Sequence, residues 1–327
     1  AIDALRDDGI LFRRAYTHVP LTLPAHVSLL TGLLPADHGV RDNLGYTVDA
    51  DAPPMLQQRL AEAGYATGAA VSTFVLRRET GIDAGFAPAI VKLRDLDEYD
   101  DAVDLGRVGV GAGIQSAQRA GGDTLDAIRP WLEQAASGPF FLFFHIFEPH
   151  TPYRPPQEFA ARYDSPYDGE IAAADAIVGD LLAELERLGR YDSALIVFLS
   201  DHGEGLGEHG ESEHGVFLYR STLQVPLIVK LPGARGAGDT VDRPVQLIDV
   251  VPTVLDGLGL AGADQLPGAS LFAPSGGDLE DRRILAETLY PRLHFGWSDL
   301  AAVVTRRHQY IDAPDPEGRD DDGLDDI

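Results

Sequence analysis

A chain of 327 residues with 44% apolar content can bury one large core, and its mean hydropathy of −0.08 fits a globular body in water. A formal charge of −26 excludes the basic face that nucleic-acid binding needs, and the most apolar run, residues 140–147, has the length of a strand and not of a membrane span. With no cysteine there is no disulfide framework, and an anionic substrate would need divalent cations to invert the charge locally.

The chain opens on a short helix, residues 1–9, with Gly9 as its stop. Ile10-Leu11-Phe12 then leads to Thr22, whose hydroxyl lies between Pro20 and Pro24. Each proline fixes its own φ and steers its predecessor away from helix. Residues 27–34 read as a short buried helix closed by Gly32 and Pro35. The hydroxyl therefore sits on a rigid elbow near a helix N-terminus, where free N–H groups favour an anion. Threonine is a poor nucleophile until a base or a metal ionises it, and a plain capping threonine is the alternative. Residues 53–64 make an amphipathic helix (Met55, Leu56, Leu60, Ala63) and 65–71 a strand, a β-α-β step that favours a parallel sheet.

Residues 76–120, rich in glycine and aspartate, read as a long loop or lid. A helix over 123–136 and a fully buried strand over 139–147 follow. Four prolines exclude regular structure from 149–156. A long helix over 167–189 carries Ile171, Ala174, Ile177, Val178 and Leu181 on one face, and Glu170 and Asp175 on it read as solvated surface. The run Ala194-Leu195-Ile196-Val197-Phe198-Leu199 is a buried parallel strand. Asp201 and His202 sit at its carboxyl end, where open α/β sheets place their sites.

His202, His209 and His214 fall within thirteen residues among Asp, Glu and Gly, a supply of oxygen and imidazole ligands that suits zinc or manganese. A solvated acidic loop is the alternative. Residues 225–231 form a strand, 247–258 a helix and 262–277 a loop. Residues 283–287, 301–305 and 309–312 make a small antiparallel sheet. The segment 290–296 either reaches the rim of a site or is a packed loop. The acidic tail, 313–327, reads as disordered.

Three motifs in order carry a resemblance. Thr22-Leu23-Pro24-Ala25-His26 with Leu29-Leu30-Thr31-Gly32 resembles the sulfatase signature C-x-P-S-R…TG. His145-Ile146-Phe147-Glu148-Pro149-His150-Thr151-Pro152-Tyr153 resembles the middle H-x-x-x-P-H-x-P-Y segment, and Ser200-Asp201-His202-Gly203-Glu204 with Gly207-Glu208-His209-Gly210 is similar to the later metal motif. The chain is identified as similar to sulfatase-like hydrolases of the alkaline phosphatase superfamily. That likeness implies an α/β fold, a mixed and mainly parallel sheet flanked by helices. It also implies a catalytic domain over 1–277 and a small C-terminal subdomain over 278–312. A family first strand bearing metal-binding Asp has no counterpart here, so the natural N-terminus is expected upstream and a carboxylate is expected to be missing near Thr22, Asp201 and His202.

The departures set the chemistry. Formylglycine sulfatases build their nucleophile from Cys or Ser; Thr22 cannot give that aldehyde, and the family's Arg is His26. The family's sulfate-holding lysine is His214, and where sulfatases show G-K-x-H the chain has Val71-Ser72-Thr73-Phe74, with Thr73 as a candidate substrate contact. A neutral imidazole can bind a second metal where a lysine can only donate. The expectation is hydrolysis of phosphate mono- or diesters through a covalent Thr22 intermediate. One metal would be held by Asp201 and His202. A second would use His214 with His150 and Glu148, the pair being two zinc ions, with manganese or calcium as substitutes. His150 as ligand and His150 as substrate donor both stay open.

His26 would orient the hydroxyl or bond to backbone; Asn43 would donate to a substrate oxygen or make an Asx turn. His209 is read as structural. A sulfatase, and a non-catalytic module binding sulfated or phosphorylated glycans, are the competing readings. The partner expected is a small-molecule, glycan or lipid ester and no nucleic acid, and the resemblance alone favours a location outside the cytoplasm.

Overall fold

The computed structural model describes residues 1–86, 118–274 and 279–314. Residues 315–327 of the tail expected over 313–327, and most of the expected lid, lie outside the described residues. The chain divides into two units: Ala1–Gly9, Thr47–Ile196 and Lys230–Gly238 form the first, and Ile10–Tyr46, Val197–Val229 and Asp239–Ile327 the second. Among the described residues no helix is long and apolar enough to cross a membrane.

In the first unit a helix, Leu56–Glu62, precedes the strand Ala66–Ala70, which pairs in parallel with Phe140–Phe144 in the register Ala66↔Phe140 to Ala70↔Phe144. The crossover is the helix Gly121–Ala135. Its Leu125 and Ile128 bury against Ala70, with Trp131, Leu142, Phe144 and Leu181 packed around them. Gly68 is fixed by that packing, since a Cβ there would lie 2.5 Å from the Trp131 ring. Phe140–Phe144 is half-buried, not fully buried. Among the described residues it pairs only with Ala66–Ala70.

The 22-residue helix Pro166–Arg187 starts at Ser165, whose Oγ accepts the Asp168 N–H at 3.3 Å. It packs on Gly121–Ala135 and on the first helix, Ile2–Asp7. Two readings of this long helix need correcting. Asp175 is not idle surface, because its Oδ1 accepts the Ile2 N–H at 2.8 Å and so caps the start of Ile2–Asp7. Glu170 is 6% exposed. Ile171 instead is exposed, which turns the buried stripe towards Ala173, Ala174 and Leu185. Ile2–Asp7 itself ends at Asp8 in right-handed geometry, one residue before Gly9.

Among the described residues the second unit holds three small sheets. Ile10–Phe12 runs antiparallel to Leu227–Lys230 and parallel to Thr240–Val241, with Ile196–Leu199 on the far side of Leu227–Lys230. Ala15–Tyr16 pairs antiparallel with Gln224–Val225 and parallel with Val245–Gln246. The third sheet is an antiparallel meander of Ile284–Thr288, Leu300–Val304 and Gln309–Asp312, which buries Ile284, Ala286, Ala302 and Val304 against Tyr16, Leu218 and Leu223. All ten residues of the helix Thr22–Thr31 are buried, and its polar side chains, Thr22, His26, Ser28 and Thr31, each meet a hydrogen-bonding partner. It ends at Gly32 in left-handed geometry, φ 75°, where a Cβ would lie 3.2 Å from Val251. Helix Val250–Gly257 packs beside it. A mixed α/β architecture with a small antiparallel sheet near the C-terminus is what the molecule has.

Candidate active site

Thr22, His26, Asp201, His202 and His214 all belong to the second unit, and two loops bring them together. Strand Ile196–Leu199 delivers Ser200, whose Oγ–H donates to the His202 carbonyl at 2.5 Å and tightens the turn. At Gly203 a Cβ would sit 2.0 Å from the Ser221 carbonyl oxygen, and at Gly205 one would sit 2.7 Å from that of Glu211. Only glycine permits both approaches. They let the Gly203 N–H reach the Thr222 carbonyl at 2.8 Å and the Gly205 N–H reach that of Glu213 at 2.7 Å. The loop returns so that the His202 and His214 rings lie 4.1 Å apart.

The other loop supplies the hydroxyl. Leu21 is extended, and Thr22 is the first helical residue, 7% exposed. Asn43 Oδ1 accepts the Leu23 N–H at 2.8 Å, satisfying one of the orphan donors of this helix N-terminus and locking the elbow. Asn43 therefore acts through its carbonyl on the backbone. Thr22 Oγ1 stands 3.4 Å from His202 Nε2. Asp201 Oδ2 is 3.5 Å from that same nitrogen and 3.4 Å from His26 Nδ1.

Backbone carbonyls decide where the imidazole protons are. His202 Nδ1 faces the Gly203 carbonyl at 2.8 Å, His214 Nδ1 that of Pro20 at 2.9 Å and His26 Nδ1 that of Thr22 at 2.7 Å. A carbonyl only accepts, so each Nδ1 carries the proton and each Nε2 of a neutral ring carries the lone pair. For His202 that lone pair faces the Thr22 hydroxyl, which can donate to it, and a carboxylate oxygen, which can only accept, so that a cation between lone pair and carboxylate would suit both. Fixing the tautomer from the backbone side is how metal-binding histidines are oriented, and the Asp/His donor set suits zinc or manganese. His26 is 3% exposed, and its pKa is lowered, burial outweighing the attraction of Asp201.

Residues that sequence reasoning passed over hold this arrangement. Thr288 Oγ–H donates to the Gly215 carbonyl at 2.6 Å. Tyr290 packs on Val19, Leu21 and Ala25. Asp42 Oδ2 meets His294 Nε2 at 2.9 Å, and Arg41 grips Glu287 with two bonds of 2.6 Å. The only sequence signal for them was position: Arg41 and Asp42 stand beside Asn43, and Tyr290 and His294 lie in the segment already marked as reaching a rim or packing. His209 has a positive φ of 57° and stacks on Tyr219 at 3.7 Å.

Glu148, His150 and Thr73 belong to the first unit. Glu170, from helix Pro166–Arg187, accepts the N–H of His150 at 3.0 Å and of Arg154 at 2.5 Å, and so clamps the proline-rich segment. Burial pushes its carboxyl pKa up, against those two bonds. His150 Nδ1 faces the Thr151 carbonyl at 2.6 Å, the same tautomer-fixing contact seen in the second unit. Glu148 Oε1 accepts the Gly121 N–H at 3.0 Å, while its Oε2 is buried with no hydrogen-bond partner among the described residues. Thr73 is 1% exposed, and its Oγ1 accepts the Val75 N–H at 3.3 Å. That hydroxyl caps the turn that follows it.

Comparison with known proteins gives a match to the family model described as "Sulfatase" over residues 1–260. The chain is 25% identical over 318 residues to an extracellular sulfatase SULF-1 homolog of Drosophila melanogaster, covering 82% of this chain and 28% of that protein. It is 23% identical over 393 residues to an arylsulfatase of Clostridium perfringens, covering 95% of this chain and 79% of the other. The fold is similar to that of a phosphonate monoester hydrolase of Agrobacterium radiobacter, with TM-score 0.73, 22% identity, and 95% of this chain and 82% of that one covered. The chain thus spans less than a third of the fruit-fly relative and about four fifths of the clostridial one.

Proposed function

Because the chain belongs to the sulfatase family, we propose that it hydrolyses phosphoric or sulfuric esters with Thr22 as nucleophile, phosphate esters being preferred. The observation that carries this is the 3.4 Å approach of Thr22 Oγ1 to the lone-pair nitrogen of His202 at the start of a buried helix. Asp201 and His202 would hold a divalent cation beside Thr22, with His214 available to a second. Such an ion supplies charge neutralisation and a lower hydroxyl pKa. The chain's own part is positional. Pro20, Pro24 and Asn43 fix the elbow at the N-terminus of the helix Thr22–Thr31, whose dipole favours an anion. The Thr22 oxygen forms a bond to phosphorus as the ester oxygen leaves as an alcohol; water then cleaves the phosphothreonine and frees phosphate.

The preference for phosphate rests on two residues. A threonine cannot become the aldehyde of a formylglycine enzyme, and His214 replaces a permanent cation with a ring that can ligate. The names of the relatives favour sulfate esters, so both belong in the assay. A location outside the cytoplasm is supported by the description of the fruit-fly relative as extracellular. Turnover of nitrophenyl phosphate, bis-nitrophenyl phosphate and nitrophenyl sulfate, with Thr22→Ala as control, tests the class. Metal content separates the readings: two equivalents of zinc or manganese for the phosphoesterase, one of calcium for a sulfatase, none for a binding module.

A further inference from the structure

An aromatic run leads from this site to the surface. Tyr290 starts the helix Tyr290–Phe295, and its ring closes on the backbone of Gly215, the residue after His214, where a Cβ would stand 3.5 Å from Tyr290 Cγ. Two further contacts fix the ring. The Tyr290 N–H donates to Thr288 Oγ1 at 3.2 Å, and His294 stacks on Tyr290 at 4.1 Å while binding Asp42. From Tyr290 the surface continues through Phe295, 5.8 Å away edge-on, to Trp297, 5.0 Å further and tilted 35°. Phe295 is 50% exposed and Trp297 57%.

One exposed tryptophan calls for no explanation. Neighbouring exposed rings anchored to the wall of a candidate active site do, since contiguous apolar surface marks a place of recognition. The ledge is open, with about half of each ring in water, and Arg292, Ser298 and Asp299 flank it in sequence. An alkyl or aryl group gains in proportion to the apolar area removed from water and favours enclosure. A pyranose fits an open ledge: its C–H face lies on an aromatic ring while its hydroxyls stay hydrated.

We propose that Phe295 and Trp297 form a stacking ledge for a pyranose ring in the leaving group, so that the substrate is a sugar ester. This rests on the reading of Thr22 as nucleophile, and its test must fail separately from that reading. Tryptophan fluorescence of metal-loaded Thr22→Ala protein, titrated with glucose 6-phosphate, glucose 6-sulfate and methyl phosphate, reports binding without turnover. A saturable change with a sugar ester, absent with methyl phosphate and abolished by adding Trp297→Ala, supports the ledge. No change with either sugar ester, or the same change with methyl phosphate, overturns it. In the active protein Trp297→Ala should lower the selectivity for glucose 6-phosphate over methyl phosphate about tenfold, through KM, equivalent to about 1.4 kcal/mol. An equal loss for nitrophenyl phosphate marks a general apolar patch and overturns the pyranose assignment. If no ester is turned over, the Thr22 reading falls while the titration still decides the ledge.

Discussion

Among the described residues of the second unit, two hydroxyl–imidazole pairs differ in which nitrogen of the ring carries the proton. Ser28 Oγ and His38 Nε2 are 2.9 Å apart, closer than the 3.4 Å between Thr22 Oγ1 and His202 Nε2. In the shorter pair the imidazole is the donor. His38 Nδ1 accepts the Val40 N–H at 3.1 Å, so its proton is on Nε2 and is donated to Ser28. His202 Nδ1 gives its proton to the Gly203 carbonyl, so Nε2 turns a lone pair towards Thr22 and Asp201. The group facing the far nitrogen, an N–H in one case and a carbonyl in the other, decides whether a hydroxyl meets a base or a donor.

The sharpest way to break this contrast is to remove each hydroxyl. Thr22→Ala should lower ester turnover by about 10³-fold or more, measured on nitrophenyl phosphate at saturating zinc. Asp201→Asn keeps the shape but weakens the grip on a cation, and a loss of about 10²-fold in turnover is expected, partly recovered at high metal concentration. Acid should act on the other pair. Burial lowers the His38 pKa from 6.5 to about 4, and His18, 1% exposed with its Nε2 unpartnered among the described residues, falls to about 4 for the same cause. Both are neutral when folded, and the unfolded chain binds more protons between those limits. Their contribution to stability is complete above pH 6.5 and is lost as pH falls towards 4. A loss of up to about 3 kcal/mol from each is expected, read as a fall in the urea midpoint over that interval. The smallest effect is Ser28→Ala, which leaves the His38 Nε2–H unsatisfied and should cost about 1–2 kcal/mol of stability with turnover changed less than about twofold.

The strands and the hydroxyl were legible because their signals are local. Apolar runs mark Ala66–Ala70 and Leu227–Lys230, two prolines flank Thr22, and Asp201-His202 follows a strand directly. The three segments read as a small C-terminal antiparallel sheet have bounds within one residue of the strands Ile284–Thr288, Leu300–Val304 and Gln309–Asp312. What stayed hidden depends on backbone partners far along the chain. The proton on His214 is set by the carbonyl of Pro20, 194 residues away, and the Glu170 carboxylate is occupied by amides 16 and 20 residues earlier. No side-chain pattern announces a backbone partner, so an acidic residue on a long helix reads as solvated even when it is buried. The Phe140–Phe144 run shows the opposite error, because apolar composition alone cannot say how completely a strand's faces are covered.

Rapid-quench digestion of zinc-loaded protein mixed with nitrophenyl phosphate, followed by peptide mass spectrometry, bears most directly on Thr22. A phosphoryl group on Thr22 that builds up within one turnover and decays as product forms is the predicted result. A phosphoryl group on another residue, or turnover with none on Thr22 and none lost in Thr22→Ala, would contradict the account.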